Sequence, residues 1–216
     1  MMTEAARIAV RMRDVGLALF ASRHFGQSLN RLRLQKFVYL LDQIGQLLLL
    51  LPPSKTHYSF KRGPFDPNIQ NAVDALAFRG LVKIVALRKD ADNGIHTEYS
   101  LTQPGELWLE RMQIIPGMAE RRMATELLAS EIDRLGWARL RELVYAEPTY
   151  LDAKPRGFGE QLRQLEFTRP SSASLFQAIS HALSTGFERE PSIELIVELY
   201  FDFLSQYSIT ESKYAL

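Results

Sequence analysis

The chain contains no cysteine. That absence removes disulfides, thiolate catalysis, iron–sulfur clusters and cysteine-based zinc sites together, and it makes a reducing cytoplasm the expected home. Histidine is sparse as well: His24, His57, His96 and His181 stand far apart, and none belongs to a two-histidine zinc motif. Long apolar runs are missing. The leucines at 47–51 are too short to span a bilayer and follow Asp42, Gln43 and Gln46, so no membrane role is expected. MMTEAARIAVRMRD, with Glu4 and Asp14 in a broken apolar pattern, reads as neither a signal nor a transit peptide. There is no P-loop, serine elbow or kinase signature set. RGFGE at 156–160 lacks the third glycine and the preceding strand of a dinucleotide fingerprint. Together these gaps predict a non-enzymatic protein with no catalytic residues, no cofactor and no metal.

What is present is the composition of a globular protein: 216 residues, 46% hydrophobic and 24% charged, enough for two units that each bury a core. The net charge of +1 conceals an asymmetry, because up to Gly63 ten bases face Glu4, Asp14 and Asp42, leaving the remainder six negative. Such a split predicts a front end that meets a polyanion, two halves that attract each other, or simply a solvated basic helix face. It is sharpest in NRLRLQKFVYLLDQIG at 30–45, an amphipathic helix opening on Arg31, Arg33 and Lys36. A cation in the first turn opposes the helix dipole at about 0.3–1 kcal/mol, so a compensating partner is expected.

Helical spacing of Ile8, Met12, Val15, Leu19 and Phe20 predicts a first helix over about 4–25. Asn30 caps a second, with Leu34, Phe37, Val38, Leu41, Ile44 and Leu48 as its apolar stripe and Pro52-Pro53 as its end. HYSFKRGPFDP reads as a short strand before a Gly-Pro turn, Asp66-Pro67 starts a helix lined by Ile69, Val73, Leu76 and Ala77, and Gly80 closes it. Two β-type runs around DADNG form a hairpin, and Thr102 caps a helix that Pro116-Gly117 breaks. Helix, strand, helix, hairpin, helix is the succession of a winged helix-turn-helix unit, with the hairpin as wing and 67–79 in the recognition position. Beyond it, helices are expected over about 118–135, 137–146, 172–185 and 191–208, with 147–171 irregular. The fold class is therefore mainly α: a winged-helix-like domain over 1–116 with a small β-hairpin, and a helical domain over 117–216.

RLQKFVYLLDQIG, then YSFKRGPFDPNIQNAVDALAFRGLV, then EYSLTQPGE resemble the Panacea (SocA-type) antitoxin-like domain and its phage-associated relatives, over roughly residues 29–115. Those relatives share a Leu-Gln-Lys helix, an aromatic-x-aromatic-x-x-Gly-Pro turn and a helix ending in Gly-Leu. The hairpin end is also similar to winged-helix transcription regulators of the MarR kind. The resemblance implies a non-enzymatic module that neutralises or adapts a protein partner, a toxin or defence protein, or regulates its own operon. Matching positions are Leu34, Gln35, Lys36, Gly63, Pro64, Gly80 and Leu81. Leu34 is explained by packing and the glycines by turns, whereas Lys36 stands out. The extra hundred or so residues beyond the resemblance imply further partner-binding work.

As a DNA-binding regulator of a defence or toxin-antitoxin operon, the chain would read adenine edges with Asn68, Gln70 and Asn71. It would hold phosphates with Arg31, Arg33, Lys36, Lys61, Arg62, Lys83, Arg88 and Lys89. Against this, the recognition helix carries only Arg79 and includes Asp74. The alternative is an antitoxin or adaptor that never needs DNA. Glu190, Glu194, Glu198 and Asp202 recur every four residues on the last helix and read first as a solvated or salt-bridged face and second as a candidate protein-docking stripe. They are too spread along the helix to converge on a metal. The surrounding Leu199, Tyr200, Phe201, Phe203, Leu204 and Tyr207 predict burial in the core, with a homodimer contact as the alternative.

Overall fold

The computed structural model describes residues 3–47, 56–60, 62–89, 95–147, 150 and 192–214. The elements run α1 (Glu4–Arg23), β1 (Leu29–Asn30), α2 (Arg31–Leu47), α3 (Pro67–Phe78), β2 (Val82–Lys89), β3 (Ile95–Leu101), α4 (Gln103–Met112), α5 (Met118–Ala146) and α6 (Ile193–Tyr214). The protein is mainly helical, with one three-stranded antiparallel sheet of order β1-β3-β2. This is the arrangement of a winged-helix unit, with β2 and β3 as its wing. No described helix is long and apolar enough to cross a membrane.

Local chemistry sets the boundaries. The Asn30 side chain accepts the Arg33 N–H at 2.9 Å and starts α2 directly from the strand. Asp66 accepts the Asn68 N–H at 2.9 Å, Pro67 occupies the first turn of α3, and Gly80 at φ 70° carries the chain out of it. Thr102 caps α4 through the Gly105 N–H while its hydroxyl donates to the Gly80 carbonyl at 2.6 Å, tying the start of α4 to the end of α3. A β-carbon on Gly105 would lie 2.1 Å from the Leu81 carbonyl oxygen, so only glycine lets the helix approach the sheet this closely. Gly136, at φ 76° and ψ 157°, interrupts α5 where the sequence predicts two helices. The helix expected over 172–185 and most of the irregular stretch 147–171 lie outside the described residues.

One strand differs from expectation. HYSF forms only an isolated bridge between Tyr58 and Phe65, because Gly63 and Pro64 reverse the chain at once. The third strand is instead Leu29–Asn30, paired with Tyr99 and Glu98. Two residues carry no alternation for a sequence reading to detect.

A single hydrophobic cluster holds the elements together. The α2 stripe Leu34, Phe37, Val38, Leu41 and Ile44 is fully buried. Each such side chain contributes about 1.5–3 kcal/mol by leaving water. The cluster continues through Leu128, Leu140 and Val144 of α5 to Val197, Tyr200, Phe201 and Leu204 of α6. It therefore crosses the boundary expected at residues 116 and 117, with α5 packed on α1 and α2, and α6 on α5 and α2.

Candidate functional site

At the junction of α1, α2, α3 and α5 lies a buried charge network. Arg11 is wholly buried, and its guanidinium donates to Asp66 at 2.6 Å, Asp42 at 2.7 Å, Asp14 at 3.3 Å and the Thr56 hydroxyl at 3.1 Å. Arg121 reaches across from α5 to Asp14 at 2.8 Å and Asp42 at 3.4 Å, and Arg13 adds a third guanidinium on Asp14 at 2.8 Å. Among the described residues, three arginines thus face three aspartates. Burial alone would raise the Asp14 pKa, but Arg121, Arg13 and Arg11 override it and hold the carboxyl well below its usual range. Asp66 is depressed in the same sense against its burial, by Arg11, His57 and the Thr56 hydroxyl. Burial, and then the adjacent Arg11, push His57 down to about 4. His57 Nδ1 sits 3.3 Å from Arg11 Nη2, which makes it the acceptor and leaves the proton on Nε2, a buried atom with no hydrogen-bond partner.

This network is a keystone rather than a recognition site, since its charges are sealed from solvent. The sequence signal for it is the Arg11–Asp14 pair at i,i+3 beside an apolar face, which is easily taken for surface charge.

The Leu-Gln-Lys motif forms a second internal device. The Gln35 side chain accepts the Asp66 N–H at 2.8 Å and donates to the Asp66 carbonyl at 2.9 Å, clamping the backbone at the start of α3. Lys36 is only 7% exposed. Its ammonium donates to the Arg62 carbonyl at 2.8 Å and lies 5.1 Å from the centre of the Tyr145 ring. Burial, with Arg141 nearby, lowers its pKa to about 8. The Lys36 ammonium thus has a carbonyl of the same chain as its partner. Gly63 sits under this clasp at φ 103°, where a β-carbon would come within 2.9 Å of Tyr145 Cε1 and 3.2 Å of Lys36 Nζ. Gly63→Ala is expected to cost about 2–4 kcal/mol from backbone strain and overpacking together. Urea unfolding checks this, and a loss below about 0.5 kcal/mol would remove the clasp from the account of stability.

The other nominated bases lie in different surroundings. Arg33 is half-buried, donating to the Ser28 carbonyl at 3.4 Å and lying 5.0 Å from the Trp137 ring centre. Arg31 is exposed, 5.7 Å from the Phe65 ring centre. Cation–π contacts of about 0.5–1 kcal/mol are large enough to offset the dipole cost at the start of α2, which has no acid in its first turn. Arg62 and Lys83 are exposed. Lys61 lies outside the described residues, as do the side chains of Arg88 and Lys89, whose backbone belongs to β2. On α3, the Asn68 amide donates to Asp66 at 2.9 Å and the Gln70 amide to Asp74 at 2.8 Å, which spends both on the helix's own carboxylates. Asn71 faces solvent. Glu194, Glu198 and Asp202 are exposed along α6, with Glu198 and Asp202 close enough to Arg134 of α5 to stabilise its charge, while Glu190 lies outside the described residues.

The wing presents several apolar side chains to solvent. Phe78, in the last turn of α3, is 92% exposed, and Ile84, Val85 and Leu87 of β2 are 57%, 47% and 69% exposed. Single exposed apolar residues are ordinary; here four fall within ten residues of sequence. The strand register explains the arrangement. Val82 pairs with Leu101, Ile84 with Tyr99 and Leu87 with Thr97, and the bulge between Ile84 and Ala86 makes Val85 the extra residue. Without it Ala86 would follow Ile84 on this face; with it, Leu87 does. Val82, Tyr99 and Leu101 are buried on the same face, so the hydrophobic core runs out along the wing as an uncovered strip. A second group, Leu107, Ile114 and Ile115, surrounds the turn between α4 and α5. No protein-family model matches this chain, and no curated protein matches it.

Proposed function

We propose that this chain is a non-catalytic winged-helix adaptor that holds a protein partner, of the toxin or defence-protein kind implied by the likeness to antitoxin-like domains, through its wing. The observation that carries this reading is the exposure of Ile84 and Leu87 on the sheet face whose Val82, Tyr99 and Leu101 belong to the core, with Phe78 exposed at the end of α3. Leaving these side chains in water forgoes about 1.5–3 kcal/mol each, which a partner surface would recover.

A duplex-binding regulator is the second reading, and its specific support is that Arg31, Arg62 and Lys83 remain exposed with no ion pair among the described residues. Three phosphate contacts alone would give a salt slope of about −2.7, and the side chains of Lys61, Arg88 and Lys89 lie outside the described residues. The adaptor is preferred on the exposed apolar side chains of the wing.

Affinity capture from the native host, with nuclease present, separates the two. Wild-type protein is expected to retain a partner after nuclease treatment, Phe78→Glu/Leu87→Glu to lose it, and Arg31→Ala/Arg62→Ala to keep it. Retention that requires nucleic acid and fails in the arginine variant would overturn the adaptor in favour of the DNA regulator.

A further inference from the structure

Resting on the adaptor reading, we infer that the wing receives an extended segment of the partner, alternating apolar and acidic residues, as a fourth strand along the free edge of β2. In the sheet order β1-β3-β2, β2 pairs on one side only among the described residues. Every second residue of such an edge turns its N–H and C=O away from the sheet, a template for a further strand. The two faces of β2 differ in chemistry. Ile84 and Leu87 belong to the apolar face, whereas Lys83 is exposed and, paired with Ser100, belongs to the opposite one. A strand alternates its side chains between faces, so a segment laid along this edge places apolar residues beside Ile84 and Leu87 and its intervening residues beside the bases. Lys83 is the exposed base on that second face and exposed Arg79 lies just before the strand, which selects acids at those intervening positions.

The same chemistry disfavours a second copy of this chain as the occupant. Antiparallel self-pairing that sets Ile84 against Leu87 also sets Lys83 against Arg88, like charges directly opposed. The bulge at Val85 further limits open-ended stacking of identical edges.

Amide chemical shifts of the full chain, titrated with synthetic eight-residue peptides, test this. A peptide alternating valine and glutamate is expected to bind with its shift changes concentrated over 82–89. A lysine-for-glutamate counterpart and a version with a central proline, which lacks the ladder donor, are expected to bind at least about tenfold more weakly. Arg79→Glu/Lys83→Glu, both at exposed positions, is expected to weaken the valine–glutamate peptide by about tenfold as well. Equal binding of the acidic and basic peptides, indifference to proline, shifts centred elsewhere, or no binding would each overturn strand addition. Partner capture that still depends on Phe78 and Leu87 would then leave the adaptor standing. Peptide binding on β2 with capture indifferent to those residues would retain the edge site and remove the adaptor.

Discussion

Replacing Arg11 by methionine is expected to remove about 3–5 kcal/mol of stability, the usual loss when one partner of a buried ion pair is deleted and the other is left charged. Methionine roughly fills the space of the arginine stem, so the cost falls on the carboxylates. Arg121 would continue to serve Asp14 and Asp42, whereas Asp66 would keep only the Thr56 hydroxyl and its capping bonds to Asn68. Asp66 is therefore where the loss concentrates. Asp66→Asn in the Arg11→Met background removes the stranded charge and keeps an acceptor for the α3 cap, so it is expected to recover more than about 1 kcal/mol as a coupling energy in a double-mutant cycle. Lysine at position 11 is not expected to rescue, because one compact ammonium cannot reproduce a fork that reaches three carboxylates. Urea unfolding of the set decides the matter, and a loss below about 1 kcal/mol for Arg11→Met would mean that the network does not hold the helices together.

Acidification is expected to destabilise the protein from near pH 6.5 downward, before carboxylates titrate. His57 titrates near 6.5 in an unfolded chain and at about 4 in the folded one. Between those values the unfolded chain binds a proton that the folded chain refuses, so stability falls as pH falls, by roughly 3 kcal/mol when pH 4 is reached. Below that, Asp14 and Asp66 take over in the same direction, since their depressed pKa values keep them ionised in the fold while unfolded carboxylates protonate. Their contribution is complete above the unfolded carboxylate pKa and drains away as pH drops through the folded values. His57→Gln, which keeps an acceptor near Arg11, is expected to flatten the curve between pH 6.5 and 4 while leaving the steep limb below. Thermal midpoints of the two proteins across pH 7 to 3 measure this, and a wild-type curve already flat from 6.5 to 4 would contradict the assignment of a neutral, buried His57.

Backbone punctuation was the most legible part of the sequence. Asp66-Pro67, Thr102, Gly80 and Gly136 act through their own neighbours, so their spacing is enough to place helix ends. The stripe from Leu34 to Ile44 was legible for the same reason, because a helical period is a local property. Charge was not. Arg11 finds Asp66 55 residues away and Arg121 finds Asp14 across 107, and nothing in a tally of bases distinguishes them from solvated ones. Of the ten bases up to Gly63, Arg11 and Lys36 are buried and Arg7, Arg13 and Arg33 half-buried, so the positive front end is to that extent internal. Leu87 was hidden for another reason: alternation assigns it to the face opposite Ile84, and only the bulge at Val85 brings the two together.

The recognition surface is best located by amide hydrogen exchange of the chain alone and in complex with its captured partner. If the wing is where the partner sits, protection increases over residues 78–89 while 31–36 and 62–71 exchange as before. Protection over the starts of α2 and α3 with an unchanged wing would place the partner on the basic side chains and contradict the adaptor.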